Sequence, residues 1–545
     1  MTKFPMSFSP YLPADRIARH EGAGEWPCPG VSELLRRRVA ETPSRVYIVD
    51  GDARLTFAEF ASRANRLAAG LRRIGVGAGD VISWQLPSWW EAAAVDVAID
   101  TLGAISNPII PIYREREVTF IARQAGARVL LVPGRFRSFD YRELARTVQR
   151  EAAALEHVVV VRDAPGMGMM TFESLLDDTT GEPPRAERPP HAVSGLFYTS
   201  GTTAEPKGVM HTASTLGAFA RNNATVGGTG PDDVSLLQFP LTHIGGVGPF
   251  IVLPILIGSR VVCLDVWDPE RALALIEREG VTSAGGPPAI LQGLLNAKGF
   301  SSERARSVRT AGTGAADVPP ELIREVRRRF AAVSFRSYGL TECPMLTSGT
   351  RTDPEDRCVH TDGRPTPGCQ VRIVDESGCP VAPGVEGEIE ATGPQMCVGY
   401  VDPALNDAAF TDDGWLRTGD LGVMDADGYV RVTGRKKDII IRKGENLSAK
   451  AIEDVLYEHP SIADASVVGV PDAASGERVC ACVVLRAGAP PLKLAELRAF
   501  MERKQVMRQK IPEQLEILPE LPRNATGKVL KYVLRERFGR RAPAS

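Results

Sequence analysis

The chain reads Tyr198-Thr199-Ser200-Gly201-Thr202-Thr203-Ala204-Glu205-Pro206-Lys207-Gly208-Val209 directly after an apolar run, residues 195–197, that predicts a β-strand. Glycine lets backbone N–H groups approach a phosphate closely, hydroxyls add donors, and the lysine supplies a positive charge. The stretch is not a Walker A motif, because Lys207 precedes Gly208 and no Gly-Lys-Ser/Thr sequence opens a helix. It predicts a phosphate-binding loop; an exposed Ser/Thr/Gly turn is the alternative that composition alone leaves open.

Four further short motifs follow this loop along the chain. They are Tyr338-Gly339-Leu340-Thr341-Glu342, Thr418-Gly419-Asp420, Gly434-Arg435-Lys436-Lys437-Asp438 and Pro522-Arg523-Asn524-Ala525-Thr526-Gly527-Lys528. With these motifs in order, the chain from about residue 55 to residue 535 resembles the adenylate-forming superfamily, which includes acyl-CoA synthetases, peptide-synthetase adenylation domains and firefly luciferase. Residues 85–90 and 108–116 look most like bacterial cyclohexanecarboxylate- and medium-chain-acid:CoA ligases.

The chain alternates short β-rich runs with helical stretches, which is typical of α/β folds. Residues 129–132, 158–161 and 261–264 are such runs, and Thr56-x-x-Glu59 is a capping box that predicts the start of an amphipathic helix. The resemblance implies a large N-terminal domain of doubly wound sheets plus a small β-barrel-like part, residues 1–436. It also implies a small mobile α/β C-terminal domain, residues 437–545.

Composition narrows the class of protein. A chain of 545 residues is too long for one hydrophobic core. Its 65 basic and 67 acidic residues nearly balance, so there is no excess positive charge to attract nucleic acid. Nine cysteines without a CxxC pair suggest neither a disulfide framework nor a zinc site. The apolar run 247–257 is too short to span a bilayer, so no integral membrane segment is expected. We expect a cytoplasmic location; a homodimer is one open alternative for the oligomeric state.

The resemblance implies three small-molecule substrates, a carboxylic acid, ATP and coenzyme A, with Mg²⁺ accompanying ATP. A carboxylate that attacks the α-phosphate meets negative charge, so catalysis requires positioning and charge neutralisation rather than a protein nucleophile. The catalytic residues implied are Thr341, Glu342, Arg435 and Lys528. The ATP-binding residues implied are Thr199, Ser200, Gly201, Thr202, Thr203, Lys207, Gly314, Ala315, Tyr338, Gly339, Thr341, Asp420, Arg435 and Lys528.

Several of these residues have chemically distinct roles. Glu342 is the expected Mg²⁺ ligand, because a hard cation prefers carboxylate and phosphate oxygens. Asp420 can accept both ribose hydroxyls, and Tyr338 offers an aromatic face to adenine. Lys528 is expected to bridge the attacking carboxylate and the α-phosphate. Lys437 matches the family's hinge, where backbone rotation moves the small domain between two half-reactions.

The acyl pocket and the coenzyme A tunnel are also assigned by resemblance. The pocket residues are His243, Gly245, Gly286, Gly312 and Met345, and the tunnel residues are His243, Lys443, Gly444 and Glu445. The segment around His243 has no aspartate or glutamate, which argues against an amino-acid substrate. Its many glycines favour a roomy apolar pocket for a medium-chain, alicyclic or aromatic acid.

Two departures from the family pattern affect the site. Residues 312–316 replace the commoner Gly-Gly-Ala-Pro adenine loop, and Ala449 and Ala451 stand where relatives often have Pro and Glu. Three functions stay open: an acid:CoA ligase, an acyl-AMP ligase that loads a carrier-protein phosphopantetheine, and a non-catalytic nucleotide-binding relative. Fatty acyl-AMP ligases of the second class usually carry an insertion that restrains the small domain, and the sequence shows no obvious extra segment. The intact Glu342, Asp420 and Lys528 argue against the third.

Overall fold

The computed structural model describes residues 8–177, 186, 188–199, 205–442, 445–472, 475–523 and 528–539. Its strands are β1 (Val46–Asp50), β2 (Ala53–Thr56), β3 (Val81–Trp84), β4 (Ile105–Pro108), β5 (Ala127–Pro133), β6 (Arg135–Phe136), β7 (Phe139–Asp140), β8 (His157–Val161), β9 (Met170–Thr171), β10 (Val193–Thr199), β11 (Lys207–Thr212), β12 (Val234–Leu237), β13 (Arg260–Cys263), β14 (Ser337–Leu340), β15 (Cys343–Ser348), β16 (Arg364–Pro365), β17 (Gln370–Val374), β18 (Gly387–Thr392), β19 (Leu416–Met424), β20 (Val430–Arg435), β21 (Ile439–Arg442), β22 (Glu445–Ser448), β23 (Ile462–Asp472), β24 (Gly476–Leu485) and β25 (Gln514–Ile517). Its α-helices are α1 (Ala14–Gly22), α2 (Val31–Glu41), α3 (Phe57–Arg73), α4 (Trp90–Thr101), α5 (Glu115–Ala125), α6 (Tyr141–Glu151), α7 (Phe172–Leu176), α8 (Ala213–Gly227), α9 (Ile244–Val247), α10 (Leu253–Ile257), α11 (Pro269–Glu279), α12 (Pro288–Leu295), α13 (Pro320–Phe330), α14 (Glu355–His360), α15 (Asn406–Ala409), α16 (Ala449–Tyr457), α17 (Leu494–Arg503) and α18 (Lys531–Phe538).

The first large sheet has the strand order β11-β10-β4-β3-β5-β8-β9, parallel throughout except for the antiparallel pair β10 and β11. Successive side chains of a strand point to opposite faces. Accordingly, Val129 and Leu131 of β5 pack in a core with α3 and α4, whereas Leu130 and Val132 pack with α5 and α6. The predicted arrangement of helices on both faces of a largely parallel sheet is therefore confirmed.

The second large sheet begins as β2-β1-β13-β12 and continues through single parallel bridges. These bridges join Ser235 to Ser283, Ser283 to Thr310, and Thr310 to Val333. The segments at Ser283, Thr310 and Val333 are followed along the chain by residues 285–287, residues 312–315 and the start of β14, respectively. Ligands of open α/β sheets bind outside the carboxyl ends of the strands, so this sheet gathers the loops at one edge.

The β-rich part that follows consists of two antiparallel sheets, β14-β15-β16 and β17-β18-β19-β20, which share one core. The C-terminal part has its own sheet, β22-β21-β24-β23 with β25 parallel to β24, and its own cores. Between them lies a short 3-10 turn, Lys436–Asp438, at the boundary expected from sequence. The mixed α/β fold is as predicted, while the boundary at residues 436 and 437 stays a prediction.

Three short-range expectations from the sequence can be compared with the structure. The capping box is formed, since the Thr56 hydroxyl accepts from the Glu59 N–H and the Glu59 carboxylate accepts from the Thr56 N–H. All nine cysteines are free thiols. Across the described ranges, every helix is too short or too polar to cross a bilayer.

Candidate active site

One cavity of about 850 Å³ collects most of the residues singled out from the sequence. Its lining includes Thr199, Lys207, His243, Gly245, Gly286, Gly312, Gly314, Ala315, Tyr338, Gly339, Thr341, Glu342, Met345, Arg435, Lys437 and Lys528. Asp420 lines a neighbouring cavity of about 1310 Å³ together with Arg435 and Lys528. Residues as far apart in the chain as Thr199 and Lys528 thus line one cavity.

A tight hairpin presents two of the catalytic candidates. Leu340 of β14 pairs with Cys343 of β15, which leaves Thr341 and Glu342 as the two-residue connection. Gly339 is required for this packing, because a Cβ there would stand 2.3 Å from the Met345 backbone nitrogen. The close pairing of β14 and β15 therefore fixes where Thr341 and Glu342 face the cavity.

Glu342 is the candidate ligand for the metal. The Tyr400 hydroxyl donates to Glu342 Oε1 at 2.7 Å, and Lys207 Nζ lies 6.0 Å from the centre of the Tyr400 ring. Burial and the charge of Glu342 raise the pKa of Tyr400, so its hydroxyl stays a donor. No group of three or more His, Cys, Asp or Glu in the described ranges is arranged to hold a metal. A single carboxylate fits Mg²⁺, which keeps several waters and is bound largely through substrate phosphates.

Asp420 is buried, with only 2% of the residue exposed. Arg435 Nε lies 2.5 Å from its Oδ1, and the Tyr338 hydroxyl donates to its Oδ2 at 2.7 Å. A carboxylate has about four lone-pair sites, so two protein partners leave capacity for hydroxyl donors from a ribose. Tyr338 thus has two contributions: its ring lines the cavity, and its hydroxyl helps to orient Asp420.

Lys528 lies in the cleft beside cationic neighbours. Desolvation of its ammonium, followed by the positive charge of Arg435, lowers the pKa of Lys528 from 10.5 to about 8. The residue as a whole is exposed, whereas this shift concerns the ammonium at its end. Lys437 adds positive charge nearby. An anionic ligand would relieve this accumulation of charge and favour the protonated lysine.

The 3-10 turn Lys436–Asp438 connects the two parts of the chain at the cleft. Lys436 Nζ is 2.6 Å from Glu388 on the N-terminal side, and Arg535 is 2.7 Å from Asp438 on the C-terminal side. Burial, followed by the charge of Arg435, lowers the pKa of Lys437. The hinge role of Lys437 stays a prediction.

The cavity has a strongly apolar component, and its role as an acyl pocket stays a prediction. Four phenylalanines line it, Phe219, Phe239, Phe250 and Phe335. His243 stacks edge-on against Phe239 at 5.0 Å, and its Nδ1 accepts from the Gly245 N–H at 3.0 Å. Burial lowers the pKa of His243 to about 4, so the imidazole is neutral near pH 7. Among the described lining residues the carboxylates are Glu342 and Glu388, and Glu388 is paired with Lys436.

The remaining predicted residues fall into two groups. Ser200, Gly201, Thr202, Thr203, Lys443 and Gly444 lie outside the described residues. Glu445 is exposed on β22 and lines neither cavity. Its assignment to the coenzyme A tunnel stays a prediction.

Other residues of the site were missed from the sequence. Tyr400 reaches Glu342 across 58 positions of the chain, and no local pattern marks it. Phe219 and Val226 of α8, seven positions apart with Asn223 between them, share one helix face toward the cavity. That helical spacing is a signal that could have found them.

Comparison with known proteins covers nearly the whole chain. The model of the AMP-binding enzyme family matches residues 35–401, and that of the AMP-binding enzyme C-terminal domain matches residues 451–528. The chain is 33% identical over 534 residues to a medium-chain fatty-acid–CoA ligase of Escherichia coli (strain K12), covering 96% of this chain and 93% of that protein. It is 34% identical over 547 residues to a salicyl-AMP ligase / salicyl-S-ArCP synthetase of Mycobacterium tuberculosis (strain ATCC 25618 / H37Rv), covering 98% and 94%. The structure of ATP-bound MatB from Rhodopseudomonas palustris superposes with a TM-score of 0.85 at 27% identity, covering 93% and 99%.

Proposed function

The chain belongs to the AMP-binding enzyme family, and we propose that it is an ATP-dependent carboxylic acid:CoA ligase that forms an acyl-adenylate and then an acyl-CoA. In the first step a carboxylate oxygen bonds to the α-phosphorus of ATP and the bond to pyrophosphate breaks. In the second step the coenzyme A thiolate bonds to the acyl carbon and AMP leaves. The observation that carries this proposal is the single cavity shared by Thr341, Glu342, Arg435 and Lys528.

The charges of the cleft suit the first step. Lys528 and Arg435 supply positive charge where the carboxylate and the α-phosphate approach, and Thr341 supplies a hydroxyl donor. Glu342 and the phosphates would hold Mg²⁺, which neutralises charge on the leaving pyrophosphate. Asp420 would accept the ribose hydroxyls. The placement of Lys528 in the cleft supports the adenylation role of this arrangement.

We propose a medium-chain, alicyclic or aromatic acid as the substrate. The four phenylalanines that line the cavity favour an apolar acyl group, and their aromatic faces favour a ring in the substrate. Of the two carboxylates in the described lining, Glu388 is paired with Lys436 and Glu342 is assigned to the metal, which leaves neither to hold an ammonium group. One relative is a medium-chain fatty-acid–CoA ligase and another is a salicyl-AMP ligase / salicyl-S-ArCP synthetase, and both descriptions agree with this range of acids.

The second candidate keeps adenylation and transfers the acyl group to a carrier protein. The similarity to the salicyl-AMP ligase / salicyl-S-ArCP synthetase favours it. Free coenzyme A and a phosphopantetheinylated carrier domain, offered in parallel, distinguish the two acceptors. We expect thioester formation with free coenzyme A; formation only with the carrier domain would replace the first candidate by the second.

A panel of acids tests the proposal. Purified enzyme with ATP and Mg²⁺ should exchange labelled pyrophosphate into ATP only when a suitable acid is present. Adding coenzyme A should then release AMP and the acyl-CoA in equal amounts. Linear C6–C10 acids, cyclohexanecarboxylate and benzoates cover the proposed class, with amino acids as the contrast. Exchange driven by amino acids alone would contradict the assignment of the pocket.

A further inference from the structure

His211 is a buried imidazole that lies outside every motif singled out from the sequence. It belongs to β11 and is 0% exposed. Its Nε2 lies 2.8 Å from the Thr341 carbonyl oxygen, 130 positions away, and its Nδ1 lies 3.0 Å from the Thr215 hydroxyl of α8. One ring therefore connects β11 and α8 to the catalytic hairpin.

The contacts define the state of this ring. Burial lowers the pKa of His211 to about 4, so the imidazole is neutral near pH 7 and has one N–H. A carbonyl oxygen can only accept, so the proton is on Nε2 and Nε2 donates to Thr341. Nδ1 is left as an acceptor facing the Thr215 hydroxyl. The Thr341 carbonyl thus fixes the tautomer, and the Thr215 hydroxyl, which also lies 3.0 Å from the Thr212 carbonyl, is compatible with it.

Both carbonyls of the catalytic turn are held from outside the hairpin. The Thr341 carbonyl accepts from His211, and the Glu342 carbonyl accepts from the Cys397 N–H at 2.7 Å. The Tyr400 hydroxyl then holds the Glu342 side chain. By contrast, no hydrogen bond from another described residue holds the Thr341 side chain, and His211 holds the Thr341 backbone.

We propose that His211 is a positioning residue for adenylation, whose Nε2–H fixes the Thr341 carbonyl and thereby aims the Thr341 hydroxyl at the nucleotide. The proposal rests on the proposed function. A buried donor to a carbonyl acts as preorganisation, and a displacement of about 1 Å in a catalytic group costs roughly 100-fold in rate.

Three substitutions separate the donor from the volume of the ring. The amide nitrogen of His211→Gln reaches the position of Nε2, that of His211→Asn reaches only Nδ1, and His211→Leu keeps apolar volume without a donor. We expect the Gln variant to keep kcat/KM for ATP within about 5-fold, and the Asn and Leu variants to lose roughly 10- to 100-fold. Equal losses in all three at equal thermal midpoints would overturn the proposal. If the Leu variant does not fold, the Gln and Asn pair decides.

A double-mutant cycle tests whether His211 acts through Thr341. Thr341→Val removes the hydroxyl that His211 is proposed to aim, so adding His211→Asn should cost little further, less than about 3-fold. If the loss of kcat/KM in the double variant equals the product of the losses in the two single variants, His211 acts independently of Thr341 and the proposal is overturned. His459→Leu is the matched control, since His459 is a buried histidine of the C-terminal part that meets the Phe500 ring edge to face. It should leave kcat/KM for ATP unchanged.

Calorimetry of ATP and Mg²⁺ binding, without any carboxylic acid substrate, separates a failure of the proposed ligase function from a failure of the proposed role of His211. If the parent protein binds the nucleotide but no acid supports exchange, the proposed function fails. The His211 variants are then compared by nucleotide affinity alone, with Gln retaining it and Asn and Leu weakening it. The reverse order, or identical affinities in all three, would contradict the role of His211.

Discussion

Arg435 and Asp420 form an ion pair across β19 and β20, with 2.5 Å between Arg435 Nε and Asp420 Oδ1. The pair joins two motifs that are 15 positions apart, and the Tyr338 hydroxyl adds a third motif at Asp420 Oδ2. Asp420, which is assigned to the ribose, is therefore held by Arg435 and Tyr338, which are assigned to the same nucleotide. The ion pair orients Asp420 before the ligand binds.

The first prediction concerns nucleotide affinity. Asp420→Ala removes the ribose acceptor, whose contacts exist in ground and transition states alike, so KM for ATP should rise roughly 10- to 100-fold with a smaller change in kcat. Initial rates of pyrophosphate exchange at varied ATP measure both constants. An unchanged KM for ATP would remove the ribose assignment.

The second prediction concerns the metal. Glu342→Gln keeps the shape of the side chain but loses its charge, so the rate of adenylation should fall at least about 100-fold and depend more steeply on Mg²⁺ concentration. Tyr400→Phe is the milder counterpart, because it removes one donor at 2.7 Å and leaves the carboxylate. An adenylation rate equal to the parental one in the Gln variant would exclude Glu342 as a ligand.

The third prediction concerns pH. Lys528 acts as a cation, and the lowering of its pKa from 10.5 to about 8 means that the charge is lost as the pH rises through about 8. The kcat/KM for ATP in exchange should therefore decrease above about pH 8 rather than stay level to pH 10. Lys528→Arg keeps its charge in this range, so its profile should lack the decrease, at a lower absolute rate. A decrease of the same shape in the Arg variant would assign the titration to another group.

The fourth prediction concerns the hinge. Proline fixes φ, so Lys437→Pro should block the backbone rotation while it leaves accessible the arrangement that places Lys528 in the cleft. Pyrophosphate exchange should persist, and coenzyme A-dependent product formation should collapse even at high coenzyme A. Lys437→Ala leaves the backbone free and serves as the control. A proline variant that makes acyl-CoA at the parental rate would show that the hinge lies elsewhere.

The sequence predicted those features whose chemistry is local. The capping box at Thr56 and Glu59 needs only two residues three positions apart, and it is formed. The motifs around Lys207, Tyr338 and Lys528 were likewise visible as short patterns, and the fold brings them into one cavity. The class of fold followed from alternating β-rich and helical runs.

The remaining features depend on contacts between distant segments. His211 meets Thr341 across 130 positions, and Tyr400 meets Glu342 across 58, because separate sheets pack together. The four phenylalanines that line the cavity come from different regions of the chain, so no short stretch of sequence contains all of them. Glu445, assigned by resemblance, lines neither cavity, and its role in the coenzyme A tunnel stays a prediction.

The assignment of Lys528 to the first half-reaction is tested most directly by measuring both half-reactions in Lys528→Ala. Pyrophosphate exchange measures adenylation, and acyl-CoA formation from synthetic acyl-adenylate measures the second step. Because the charge of Lys528 is needed only where the carboxylate and the α-phosphate approach, adenylation should fall by at least about 100-fold while the second step stays within about 3-fold of the parent. An equal loss of both half-reactions would contradict this role, and so would an unimpaired exchange rate.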